Sequence, residues 1–162
     1  MIKKSIEEAL NKQVNREYYS AYLYLSMSSY LDSINLKGFA HWLRVQAREE
    51  LAHGMKLYDH LIAMNGRALL QPIEAPPEEW KSTEEVFEQV YDHEQKVTAM
   101  ISALMDLTLE KKDYATAAAL QWFVTEQIEE EGNALAILEQ IKTVGDVPGH
   151  LFYLDHHLAK RE

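Results

Sequence analysis

Two long stretches of this chain, residues 5–34 and 83–131, contain neither glycine nor proline. Apolar residues within them recur every three or four positions, which is the spacing of one face of an α-helix. Because glycine and proline are the usual helix terminators, such stretches predict unusually long helices and an all-α fold. The expected helices are four long ones at about 5–34, 39–65, 83–111 and 114–143, and a short fifth at about 147–159.

The segment 66–82 is the exception, because it holds Gly66, Pro72, Pro76 and Pro77. Helix connections in bundles usually have two to eight residues. A connection of this length reaches roughly 55 Å when extended, whereas a long helix here measures about 42 Å. The segment can therefore cross the whole bundle. The prediction is one domain, residues 1–162, in which two antiparallel hairpins are joined by a long crossover.

Composition excludes several classes of protein. The 162 residues include 26 acidic and 16 basic side chains, a formal net charge of −10. This balance argues against nucleic-acid binding and favours attraction of cations. The absence of cysteine excludes disulfides, thiolate metal sites and Fe–S clusters. No apolar run approaches the roughly 20 residues of a membrane helix, and the charged start does not resemble a signal peptide. We therefore expect a cytoplasmic protein without membrane contact.

Each predicted core stripe is interrupted near its middle by ionisable or amide side chains. In each hairpin, a glutamate of the first helix precedes two polar residues of the second by 33 and 36 positions. The midpoints fall on the predicted turns, near residues 34 and 111. Residues equidistant from the turn of an antiparallel pair lie at the same height, so each carboxylate faces an i, i+3 pair. The interruptions are Glu17, Glu50 and His53 in the first hairpin, and Glu94, Gln127 and Glu130 in the second.

Burying four carboxylates together without compensation would cost several kcal/mol each. No lysine or arginine lies on these stripes, so a divalent or trivalent cation is the natural compensation. Four glutamates and one histidine suit iron or manganese, with zinc as a competitor. Tyr24 follows Glu17 by two turns on the same stripe. It is either a hydrogen-bond donor or electron-transfer group at the site, or a core tyrosine with a satisfied hydroxyl.

Further acidic residues flank the predicted ligands. Glu49 and Glu126 are separated by 77 positions, as are Glu17 and Glu94. Together with Glu129 and Glu130, Glu49 and Glu126 can form a third, more exposed metal site. The histidines without a partner at ligand spacing are expected to have surface roles: His41, His60, His93, His150, His156 and His157.

At these residues the chain resembles the ferritins of the haem-free bacterial and archaeal type. The resemblance is carried by residues 15–25, 38–42, 49–53 and 122–131. It implies a ferritin-like four-helix bundle with a ferroxidase centre. Glu17, Glu50 and His53 would hold the first iron, with Glu50 bridging. Glu94 and Glu130 would hold the second iron. The resemblance also implies roles near the centre for the weakly bound Gln127, for Tyr24 and for the aromatic Trp122, and a third site at Glu49, Glu126, Glu129 and Glu130.

Differences in sequence distinguish this chain from two related families, the bacterioferritins and the rubrerythrins. Bacterioferritins have a second E-x-x-H motif, where this chain has Gln127-x-x-Glu130, and a haem-binding methionine where this chain has Leu51. We therefore predict no haem. Rubrerythrins usually add a cysteine-ligated iron domain, which this chain cannot form.

The implied activity is oxidation of Fe²⁺ by O₂ or H₂O₂, followed by storage of Fe³⁺ as a hydrated ferric oxide mineral. The implied assembly is a homo-oligomeric shell of 24 chains. The apolar fifth helix supports oligomerisation only loosely, because its leucines can equally pack onto their own bundle. Two alternatives remain open: a di-iron oxidase or peroxidase without mineral storage, and a metal-free helical scaffold.

Overall fold

The computed structural model describes residues 2–145 and 147–162. The all-α prediction is confirmed, and the second helix begins and ends two residues earlier than expected. The predicted domain also included Met1 and Asp146, which lie outside the described residues. The helices of the described part are α1 (Lys4–Ser33), α2 (Lys37–Ala63), α3 (Thr83–Glu110), α4 (Tyr114–Val144) and α5 (Pro148–Leu158).

Local chemistry explains where the long helices begin and end. Asn35, Asn65 and Lys112 follow α1, α2 and α3 with φ of 65°, 56° and 54°. A residue with positive φ cannot continue a right-handed helix, so the chain turns there. Ser82 directly precedes α3, and Asp113 directly precedes α4. The side chain of each accepts a hydrogen bond from the backbone N–H of the residue three positions later. These N-caps fix the starts of the second hairpin's helices.

The crossover between α2 and α3 lies alongside α1. The Asn11 side-chain amide donates to the Arg67 carbonyl oxygen at 2.9 Å, and the Ser26 hydroxyl donates to the Pro77 carbonyl oxygen at 2.5 Å. The crossover therefore runs parallel to α1. The crossover returns the chain to the other end of the bundle, which makes α3 antiparallel to α1.

A buried polar layer divides the apolar core into two clusters. One cluster includes Leu23, Phe39 and Phe87, and the other includes Leu10, Leu61 and Ile101. The glutamates of all four long helices lie between them, at the same height along the bundle. The layer forms because each long helix carries its polar residues near its middle, and the hairpin turns bring those middles to the same height.

Helix α5 packs across the start of α2. The Asp155 carboxylate accepts a hydrogen bond from the Phe39 backbone N–H at 2.9 Å, so it caps α2 from a distant part of the chain. Leu154 and Leu158 are buried on the chain's own bundle, whereas Phe152 remains exposed. None of the described helices is long and apolar enough to cross a membrane.

Candidate metal centre

The structure brings together all six polar residues that the matched spacings singled out. Each has at most 4% of its surface exposed. Two helices of each hairpin contribute, so the layer is built from all four long helices. The residues are Glu17, Glu50, His53, Glu94, Gln127 and Glu130.

Five carboxylates and one imidazole form three overlapping groups, each able to surround a cation. Within a group, the ligand atoms lie within 4.8 Å of one another. Glu50 belongs to two of the groups and Glu130 belongs to two, so neighbouring cations would share carboxylates. The groups are Glu17 with Glu50 and His53, Glu50 with Glu94 and Glu130, and His53 with Glu126 and Glu130.

Burial dominates the electrostatics of the layer. It raises the pKa of Glu17 and of Glu50 well above the usual carboxylate value, and the neighbouring carboxylates add to the rise. Burial, followed by repulsion from Glu94, raises the pKa of Glu130 to about 7. Among the described residues, no lysine or arginine forms an ion pair with these three carboxylates. A bound cation would supply the missing positive charge.

The stability of the metal-free protein should therefore fall as the pH rises. Between the ordinary glutamate pKa of 4.5 and about 7, folded Glu130 binds more protons than unfolded Glu130. The free energy of unfolding then decreases with pH through this window, by up to about 3 kcal/mol for this one group. Urea unfolding at pH 5.5 and pH 8 should show the fall, and Glu130→Gln should reduce it. If the free energy of unfolding changed with pH as steeply in Glu130→Gln as in the wild type, the raised pKa of Glu130 would not be the cause.

Two buried glutamines, which the sequence analysis did not single out, hold the carboxylates in place. The Gln13 side-chain amide donates to Glu17 Oε1 at 2.7 Å. The Gln46 amide donates to Glu130 Oε2 at 2.6 Å and to Glu50 Oε1 at 3.2 Å. Each glutamine precedes a candidate ligand by four positions, and the two are 33 positions apart. The spacing that revealed the ligands would have revealed these glutamines as well.

Glu94 accepts two further hydrogen bonds from residues that the sequence placed near the site. The Tyr24 hydroxyl and the Gln127 side-chain amide both donate to its carboxylate, the latter at 3.1 Å. Burial and nearby carboxylates raise the pKa of Tyr24 well above its usual value, so it keeps its proton. Tyr24 is thus a neutral donor to a candidate ligand.

The predicted third site is only partly assembled. Glu126 Oε1 lies 3.8 Å from His53 Nε2, within one of the three groups. Glu129 is exposed and belongs to none of the groups found among the described residues. Glu49 is also outside them, because its Oε2 pairs with the Arg161 guanidinium at 2.6 Å. The rings of Trp122 and His53 pack edge-to-face, with 5.2 Å between the ring centroids.

Three of the six other histidines are less exposed than the predicted surface roles imply. His93 is packed between helices, where its Nε2 lies 2.7 Å from the Ser20 hydroxyl. Burial lowers the pKa of His93 to about 4. His41 and His60 are half-buried, each with a specific hydrogen-bond partner. The histidines that are exposed as predicted are His150, His156 and His157.

The sequence of the chain matches one protein family and several known relatives. Residues 7–144 match the family described as the ferritin-like domain. The chain is 39% identical to a bacterial non-heme ferritin of Bacteroides fragilis over 99% of this chain and 100% of the relative. It is 40% identical to a probable bacterial non-heme ferritin-like protein of Haemophilus influenzae over 98% of this chain and 96% of the relative.

The structure is also similar to that of an open pore ferritin from the archaeon Archaeoglobus fulgidus. The TM-score is 0.99, with 49% sequence identity and 100% of both chains covered. The fold and the buried carboxylate layer define a four-helix-bundle protein with a candidate metal centre. The matches over the whole chain show that it belongs to the ferritin family.

Proposed function

We propose that this chain is a cytoplasmic ferroxidase that oxidises Fe²⁺ and stores the product as a hydrated ferric oxide mineral. The observation that carries the proposal is that Glu50 is shared by two buried ligand groups, one containing His53 and the other containing Glu94. Two Fe²⁺ ions held by these groups would share one carboxylate. The similarity of the chain to bacterial non-heme ferritins supports the same conclusion.

In this proposal, Glu17, Glu50 and His53 hold the first iron, while Glu50, Glu94 and Glu130 hold the second. Two Fe²⁺ ions each give one electron to O₂, which takes up two protons to form H₂O₂; H₂O₂ can serve as the oxidant in turn. The carboxylates favour oxidation because they stabilise Fe³⁺ more than Fe²⁺. Gln127 and Tyr24 orient Glu94 through hydrogen bonds.

Mineral storage requires a cavity that one bundle does not provide, so we propose a homo-oligomeric shell of 24 chains. An exposed apolar groove between α1, α2 and the crossover supports contact with a second copy. Apolar faces of this kind are usually covered by a partner. The groove includes Tyr22, Leu25, Leu51, Met55 and Ile73. We propose no haem there, since Leu51 and not methionine follows the shared Glu50.

The stoichiometry of the first oxidation tests the ferroxidase proposal. Metal-free protein is loaded anaerobically with two Fe²⁺ per chain and mixed with O₂ in a stopped-flow instrument. We expect a single fast phase that oxidises both ions, because both groups are preformed. A fast phase of the same amplitude in buffer without protein, or no fast phase at all, would contradict the proposal.

A further inference from the structure

Arg161, which follows α5, is fixed against α2. The Arg161 guanidinium lies 4.2 Å from the centre of the Trp42 ring, and its Nη1 donates to the Trp42 carbonyl oxygen at 3.2 Å. The Arg161 carbonyl oxygen lies 2.7 Å from His41 Nε2. These contacts hold Arg161 in place without help from any carboxylate.

Held in this way, Arg161 contacts the acidic cluster beside the metal centre, which consists of Glu49, Glu126, Glu129 and Glu130. Its Nη2 donates to Glu49 Oε2 at 2.6 Å, and the arginine side chain is only 19% exposed. Hydrogen bonds between an arginine and a carboxylate are charge-assisted and stronger than neutral ones. Glu126, on α4, has its carboxylate turned towards His53 instead. Glu49 is thus the member of this cluster that already has a cationic partner.

We infer that Arg161 is a positioning residue that holds Glu49 away from a third iron and thereby weakens iron binding at the outer position next to Glu126 and Glu130. The guanidinium and an iron ion compete for the same carboxylate. Because Arg161 follows α5, the docking of that helix controls whether Glu49 is available. This inference rests on the proposed function, which supplies the iron.

The test counts and ranks Fe²⁺ sites by anaerobic titration calorimetry on the assembled protein. In Arg161→Gln, we expect the third and weakest class of sites to bind Fe²⁺ about tenfold more tightly, a change of about 1.4 kcal/mol. The two inner sites should change by less than about twofold, since Arg161 does not contact their ligands. Lys160→Gln removes the same charge from the exposed neighbouring residue and should leave all classes unchanged.

Two further variants separate a direct effect from a general one. Arg161→Lys keeps the charge but loses the planar fork, so the third class should tighten less than in Arg161→Gln. Adding Glu49→Gln to Arg161→Gln should remove the gain, because the freed carboxylate is then absent. Thermal unfolding checks that each variant remains folded.

The outcomes distinguish this inference from the proposed function. Normal binding at two inner sites, with a third class that is identical in wild type and Arg161→Gln, would overturn the inference alone. An equal gain in Lys160→Gln would also overturn it, since the effect would then be one of net charge. Absence of Fe²⁺ binding in every variant would overturn the proposed function and the inference together.

Discussion

Glu50→Ala is expected to slow the fast oxidation of Fe²⁺ by about a hundredfold or more while leaving the fold intact. Changes to residues that merely support metal ligands already cost about 10- to 100-fold, and Glu50 is shared by both inner ligand groups. The metal-free variant should remain as stable as the wild type at pH 8. Repulsion of Glu50 by Glu94 and Glu130 is lost in the variant, which offsets the cost of the cavity.

Stopped-flow oxidation and urea unfolding measure the two parts of this prediction. Glu88→Ala serves as the control, because it removes an exposed carboxylate from α3 and should change neither result. An oxidation trace that is unchanged in Glu50→Ala would rule out the ferroxidase assignment. A gain in stability with no loss of iron oxidation would favour the metal-free scaffold.

Gly38→Ala is expected to displace α5 from the bundle. A β-carbon at this position would lie 1.7 Å from the Asp155 backbone carbonyl oxygen. A backbone atom cannot move aside without moving its helix, so the Asp155 cap on α2 and the burial of Leu154 and Leu158 would be lost. We expect a loss of about 3 kcal/mol in the free energy of unfolding. Faster proteolysis within α5 should accompany it.

Gly132→Ala is the matched control for this change. Gly132 lies within α4, and a β-carbon there would have no heavy atom within 4 Å apart from its chain neighbours and the nearby backbone of its own helix. Alanine should stabilise the helix by about 0.5–1 kcal/mol, because glycine is a poor helix former. Equal destabilisation by both substitutions would show that α5 docking does not depend on the close approach at Gly38. Because Arg161 follows α5, only Gly38→Ala should also free Glu49.

The bundle and its inner ligands could be predicted because both follow from local rules. A helix repeats every 3.6 residues, so Glu17 and Glu50 had to reach the same height once the turn near residue 34 was placed. Hairpin geometry then put His53 beside them. The crossover could be predicted as well, because its prolines exclude a helix and because the segment is longer than an ordinary turn.

Contacts between segments that are distant in the sequence could not be predicted from these local rules. Arg161 and Glu49 are 112 positions apart, and no periodicity links a residue that follows α5 to the middle of α2. The path of α5 depends on Gly38, where its backbone approaches α2 closely. The partial burial of His93 depends on the contact between α1 and α3, which a helical pattern predicts only approximately. These tertiary contacts decide which of the acidic residues are free to bind a cation.

The amount of iron that the protein retains shows directly whether it stores iron. Excess Fe²⁺ is added aerobically to the metal-free protein, and the iron per chain is measured after size-exclusion chromatography. We expect far more iron than the three ligand groups can hold, eluting with a very large assembly. About two ions per chain on a small species would contradict storage and favour a di-iron oxidase or peroxidase, and no retained iron would contradict the metal centre itself.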